Sequence, residues 1–166
     1  MNRVALFVLT IPDHDRLVPI TKDLSTVSGV SGWYAVDGHA NLIVIVEGSS
    51  DPLLNYLHRL AGDVSMTMCE VLFPAQPISH PPSTNGDCSA WVFADVEPSF
   101  QEAVRQEVSS TSGVALTLAT RGGADLVALI TAKTLDEVDR IINRCIQPLD
   151  GILRLKRNRV INLTSL

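Results

Sequence analysis

The sequence repeats itself at a fixed spacing, and no other feature constrains its fold as strongly. Gly29-Val30 recurs as Gly113-Val114, Gly38-His39-Ala40-Asn41-Leu42 recurs as Gly122-Gly123-Ala124-Asp125-Leu126, and Leu57 falls on Ile141, all 84 residues apart. A shared offset across three separate features marks two copies of one supersecondary unit. The 166 residues give each copy the length of a small domain.

Each copy reads the same way. Val4–Leu9 and Ala90–Val96 are short apolar runs of strand length. A helix follows in each. In the first copy Leu17, Ile20, Leu24 and Val27 make an apolar stripe, with Pro19 placed in the first turn, where a missing N–H costs least. In the second, Ser99-x-x-Glu102 predicts a capping box ahead of the stripe Phe100, Val104 and Val108. Hairpins come next: Trp33–Val36 and Leu42–Val46 flank residues 37–41, and Leu116–Thr120 and Leu126–Ile130 flank residues 121–125, both connections rich in Gly and Asn/Asp. The second helices open at Ser50-Asp51-Pro52 and at Thr134-x-x-Glu137. Their apolar faces are Leu53, Leu54, Leu57, Leu60 and Val138, Ile141, Ile142, Cys145. Closing strands are predicted at Val64–Phe73 and Ile152–Leu163.

The order β-α-β-β-α-β predicts an α+β protein of two tandem ferredoxin-like units, each an antiparallel four-stranded sheet with both helices on one face. The first unit spans residues 1–73 and the second 88–166. A proline-rich linker at 74–87, with four prolines and no periodicity, serves as an extended spacer. The sheet face opposite the helices is bare and must be covered, by the other copy or across a dimer of chains.

Composition excludes several classes. A 46% hydrophobic, 19% charged chain can bury a core. A net charge of −5 disfavours a nucleic-acid surface. Arg154, Lys156, Arg157 and Arg159 form the one basic cluster, and alternation sends Arg154 and Lys156 to one face and Arg157 and Arg159 to the other, so no binding stripe results. The apolar start, residues 1–10, is too short for a leader, with Pro12-Asp13-His14-Asp15 where a cleavage site should stand. No run approaches the length of a membrane span, and a soluble, cytoplasmic protein is expected. Cys69, Cys88 and Cys145 have no disulfide-framework spacing and are expected as thiols. With the four histidines they show no metal-ligand spacing, so no metal or cofactor is expected. No nucleophile elbow, P-loop or dinucleotide fingerprint is present. Asp13-His14-Asp15 reads as a helix cap rather than an acid–base cluster, and Trp33 and Trp91 as core or sheet-interface residues.

Each copy resembles the effector-binding domain of Lrp/AsnC-type (feast/famine) transcriptional regulators. The resemblance rests on Gly113-Val114 opening the second strand, Gly122-Gly123-Ala124-Asp125 between strands two and three, the apolar run Leu126–Ile130, and Gly151-Ile152 at the closing strand. The first copy shows Gly29-Val30, Gly38-His39-Ala40-Asn41, Leu42–Val46 and Asp63-Val64, departing at Asn41 and Asp63. Family members carry an N-terminal helix-turn-helix, and here the first strand begins near residue 3, so a sensing and assembly module without DNA-reading elements is expected.

In the resembled family small effectors, commonly amino acids, bind near the turn between strands two and three. That implies a ligand site at Arg121, Gly122, Gly123, Ala124 and Asp125, and a weaker one at Gly38, His39 and Asn41. Glycine amides could hold a carboxylate, Asp125 an ammonium group, and Arg121 a second carboxylate contact. The implied protein is a regulator-like ligand sensor, not an enzyme and with no catalytic residues. It would self-associate as a dimer or tetramer, and its partners would include full-length regulators. Two other readings stand beside this one: a ferredoxin-like small-molecule enzyme, for some relatives act in tetrapyrrole decarboxylation, and a purely structural assembly protein.

Overall fold

The computed structural model describes residues 3–60, 62, 64–72 and 87–161. The first copy contains β1 (Val4–Thr10), α1 (Leu17–Leu24), β2 (Val30–Gly38), β3 (Leu42–Glu47), α2 (Asp51–Arg59) and β4 (Ser65–Val71). The second contains β5 (Cys88–Val96), α3 (Gln101–Ser110), β6 (Val114–Gly122), β7 (Leu126–Ala132), α4 (Leu135–Ile141) and β8 (Ile152–Val160). Apart from Asp87, the predicted linker lies outside the described residues, as do Phe73 and the last residues of the second predicted closing strand.

Local chemistry explains most boundaries. Asp13 caps a 3-10 turn at His14–Arg16, its side chain accepting the Asp15 amide (3.0 Å), and Pro19 falls in the first turn of α1. Thr134 caps α4 by accepting the Glu137 amide (3.1 Å). The capping box expected at Ser99 does not form. Pro98–Phe100 make a 3-10 turn, α3 starts at Gln101, and the Ser99 hydroxyl donates to Glu97 instead. Cys145, expected on the apolar face, is exposed. Beyond Ile141 the helix widens into a π turn closed by the Gln147 amide on the Ile142 carbonyl (2.8 Å), and this puts Ile142 and Ile146 inward.

The fold is α+β and ferredoxin-like, with eight antiparallel strands and four helices. Within each copy the strand order is that of a ferredoxin-like sheet: β4-β1-β3-β2 and β8-β5-β7-β6. The copies are not separate sheets, however. β2 pairs with β8 and β4 with β6, so all eight strands close into one barrel. The uncovered faces do meet, as the wall of the barrel lumen, and each seam is closed by three residue pairs, Val36–Gly38 with Asn158–Val160 and Cys69–Val71 with Thr120–Gly122.

Alternation sorts the side chains into three cores. In β1, Ala5, Phe7 and Leu9 face the first helix pair, while Leu6 and Val8 face the lumen. In β5, Ala90, Val92 and Ala94 face the second pair, while Trp91 and Phe93 face the lumen. Trp91 is fully buried and meets Tyr34 edge-to-face, centroids 5.3 Å apart. Among the described residues no helix is long and apolar enough to cross a membrane.

Two glycines make the seams between copies possible. Gly38 pairs with Asn158 and Gly122 with Cys69. A Cβ on Gly122 would sit 2.5 Å from the Met68 carbonyl, and one on Gly38 would collide with the Arg157 carbonyl. Gly122 also has φ +101°, in the left-handed region. These positions therefore serve cross-copy strand approach as well as the hairpin turn.

Candidate functional site

The two hairpin turns fold at one mouth of the barrel, each latched to the end of its copy's first strand. The Asn41 amide donates to the Leu9 carbonyl (3.1 Å), and the Asp125 amide to that of Ala94 (3.0 Å). The side chains complete the latch. Asn41 Oδ1 accepts from the Ile11 amide (2.9 Å) and its Nδ2 donates to the Ile11 carbonyl (2.6 Å). Asp125 Oδ2 accepts from the Val96 amide (2.9 Å). Both residues thus tie the turn to the strand.

The other candidates are placed as follows. Arg121 is exposed and forks onto Glu70 of β4, with Nε and Nη2 2.9 and 2.8 Å from one carboxylate oxygen. The Gly123 amide donates to the Met68 carbonyl (2.9 Å), and the buried Ala124 gives its carbonyl to the Thr120 hydroxyl (2.9 Å). The second turn therefore spends Gly123, Asp125 and Arg121 on contacts within the chain. Gly38, His39 and Asn41 of the first turn instead border an open groove of about 620 Å³.

That groove combines apolar walls from Ile11, Pro12, Leu17, Val36 and Ile161 with the polar side chains of His14, Asp37 and His39. Thr10 and His39 also line a second, smaller cavity of about 90 Å³ in the barrel mouth. Its floor is Val8, Phe93 and Cys69, and its rim carries Ser65, Thr67, Gly123 and Lys156, with the buried Asn158 beside them. Burial pushes the Cys69 thiol up to about 11, even though the Gly123 and Ala124 amides point at the sulfur and pull the other way. Deeper in the barrel, the Tyr34 hydroxyl, Trp91 Nε1 and Ser89 hydroxyl are buried with no hydrogen-bond partner among the described residues, and burial pushes Tyr34 up to about 12. Among the described residues no cluster of His, Cys, Asp and Glu fits a metal ion.

Sequence reasoning named His39 but missed His14 as a groove residue and Lys156, Asn158 and Thr67 at the mouth. Alternation does place Lys156 and Asn158 on one strand face. What brings that face beside His39 is the cross-copy pairing of β8 with β2, which no local pattern reveals.

No family model matches the chain, and no curated protein does. Solved structures do. The siroheme decarboxylase NirDL is similar over 97% of this chain and 72% of its own, with TM-score 0.74 and 12% identity. An anthrone oxidase-like protein is similar over 97% of this chain and 92% of its own, with TM-score 0.54 and 11% identity. AsnC of Escherichia coli matches over 54% of this chain and 62% of its own, with TM-score 0.45 and 15% identity. At these identities the likeness is one of fold, and similar structures include both an AsnC protein and an enzyme. The expectation that the chain is not an enzyme is corrected by these findings. Structures similar over 97% of this chain include a decarboxylase and an oxidase-like protein, so this fold is one that enzymes use. A missing sequence motif is no argument against catalysis on such a scaffold.

Proposed function

We propose that this chain is a small-molecule-binding ferredoxin-like barrel whose ligand seats beside the Gly38–Asn41 turn. The observation that supports it is the 620 Å³ groove, apolar along its walls and polar at His14, Asp37 and His39, the balance and size expected of a metabolite site. The ligand class is a small organic acid, amino acids included, because His14 and His39 supply donors while Asp37 accepts an ammonium or hydroxyl group. The resemblance to Lrp/AsnC effector-binding domains supports the same region of the fold.

Thermal denaturation against a panel of amino acids and other carboxylic acids tests this reading. A ligand that binds the native state raises the melting temperature by mass action. The rise is expected to vanish in His39→Ala and to survive in Arg121→Ala; a panel with no effect overturns the proposal.

Chemical turnover in the same groove is a second reading, favoured by the two imidazoles lining one groove and by the full-length likeness to NirDL. Histidine is the side chain best matched to proton transfer near neutral pH. Incubation of the protein with the panel and with iron tetrapyrroles, followed by mass spectrometry, tests it. A product lighter by one carbon dioxide, absent with His14→Ala, supports it, and unchanged substrates overturn it. Self-association is proposed as well. It would use a face such as the outside of β4, where Met66 and Met68 are exposed. A monomer by light scattering overturns that.

A further inference from the structure

We infer that the small cavity in the barrel mouth is an oxyanion subsite, which seats the acidic head of the ligand whose body occupies the adjoining groove; in that second part the inference rests on the function proposed above. The cavity is rich in donors and poor in acceptors. Lys156, Thr67 and His39 line it, and none of their side chains has a partner among the described residues. No carboxylate lines it, and the nearby Asp95 is answered by Arg154 at 4.0 Å.

Asn158 is the most telling of these residues. It is 1% exposed, and the Ala40 amide donates to its Oδ1 (2.9 Å). An N–H can only donate, so this bond fixes which way the side-chain amide points. The Nδ2 group on the other side has no acceptor among the described residues, while Asn158 lines the cavity. An anion in the cavity would give that donor an acceptor. The volume, about 90 Å³, holds one carboxylate or phosphate head and excludes a larger body. His39 and Thr10 form the wall common to both spaces, so a ligand can pass from one to the other around His39.

The two sides of the mouth contribute unequally to the cavity. By register, Asn158 answers to Cys69 and Lys156 to Thr67, while His39 answers to Gly123. The other half of the mouth thus supplies a thiol, a hydroxyl and a bare backbone, and the donors gather around β8.

The test is amide NMR titration of the full chain with sodium acetate and, separately, sodium phosphate, against sodium chloride at matched ionic strength. Saturable shifts of the Ala40 and Gly123 amides are expected with at least one oxyanion and not with chloride; which of the two binds more tightly identifies the head group. Lys156→Gln, at an exposed position, weakens binding about tenfold, the loss of one charge-assisted hydrogen bond. Thr67→Val weakens it less, and Lys22→Gln, at an exposed position on α1, leaves it unchanged. Shifts that do not saturate, or that are indifferent to both Lys156→Gln and Thr67→Val, overturn the subsite. If acetate saturates while no panel compound raises the melting temperature, the groove reading fails and the subsite stands. If a panel compound binds as tightly to Lys156→Gln as to the natural chain, the subsite fails alone.

Discussion

The two copies agree where the barrel needs them to and disagree where its mouth opens. Asn41 and Asp125 occupy equivalent positions, and each accepts a backbone amide at the end of the first strand, that of Ile11 just past β1 in one copy and that of Val96, the last residue of β5, in the other. Gly38 and Gly122 both admit a strand from the opposite copy. At the rim the pairs diverge: His39 against Gly123, Lys156 against Thr67, Asn158 against Cys69. Latching and close approach are demands of the shared backbone and hold twice. The rim side chains carry little of the fold, and there the halves have become chemically different.

Exchanging residues between the halves, or removing them, probes this division. The largest effect is expected at the seams. Gly122→Ala and Gly38→Ala each force a Cβ against a carbonyl of the other copy, which places them at the upper end of the about 1–3 kcal/mol typical of overpacking. Urea unfolding should show both chains strongly destabilised, and an unaffected midpoint for either would break the equivalence of the seams. Next come the latches. Asn41→Ala orphans both the amide and the carbonyl of Ile11, whereas Asp125→Ala orphans only the Val96 amide, so at about 1–3 kcal/mol per buried group the first should cost more. The reverse ranking would mean that Asp125 is held for something other than the latch.

A smaller effect separates Cys69 from its counterpart Asn158, which does not titrate. Burial raises the Cys69 pKa in the folded state to about 11 from the ordinary thiol value of 9.0. The folded state therefore holds the thiol proton more tightly, and this contribution to stability is complete below pH 9 and is lost as pH rises towards 11. Unfolding followed across that window should show an alkaline decline that Cys69→Ala lacks, and thiol labelling at pH 8 should modify the exposed Cys145 well before Cys69. The smallest effect is expected for Arg121→Ala. It breaks an exposed pair with Glu70 and should cost under about 1 kcal/mol in the same urea experiment; a larger loss would make that pair part of the β4–β6 seam.

Much of this architecture was legible in the sequence. The 84-residue offset gave the repeat, short apolar runs gave the strands, and Thr134-x-x-Glu137 gave a helix start where its threonine does cap. Ser99-x-x-Glu102 failed because Pro98 in the preceding turn sets a 3-10 geometry that displaces the helix start. Cys145 was misplaced because spacing arguments assume a constant helical period, and the π turn at Ile142–Ile146 changes it. Barrel closure was the larger gap. Nothing local in Val36-Asp37-Gly38 or Arg157-Asn158-Arg159 says that these segments pair, and the mouth exists only because they do. Part of the turn chemistry was hidden for a related reason. The backbone amides that Asn41 and Asp125 serve lie about 30 residues away in the chain, and only the fold places them side by side.

The covalent union of the two copies has a consequence for how such a pocket can arise. In a ring built from two identical polypeptides every substitution appears on both rims at once. A lysine facing inward would meet its twin across the opening, and two like charges would share one narrow space. Encoding both halves in a single chain removes that doubling. One rim can gather a lysine, an imidazole and a spare amide while the other keeps a thiol and glycine, so an acidic guest has a single orientation in which to enter.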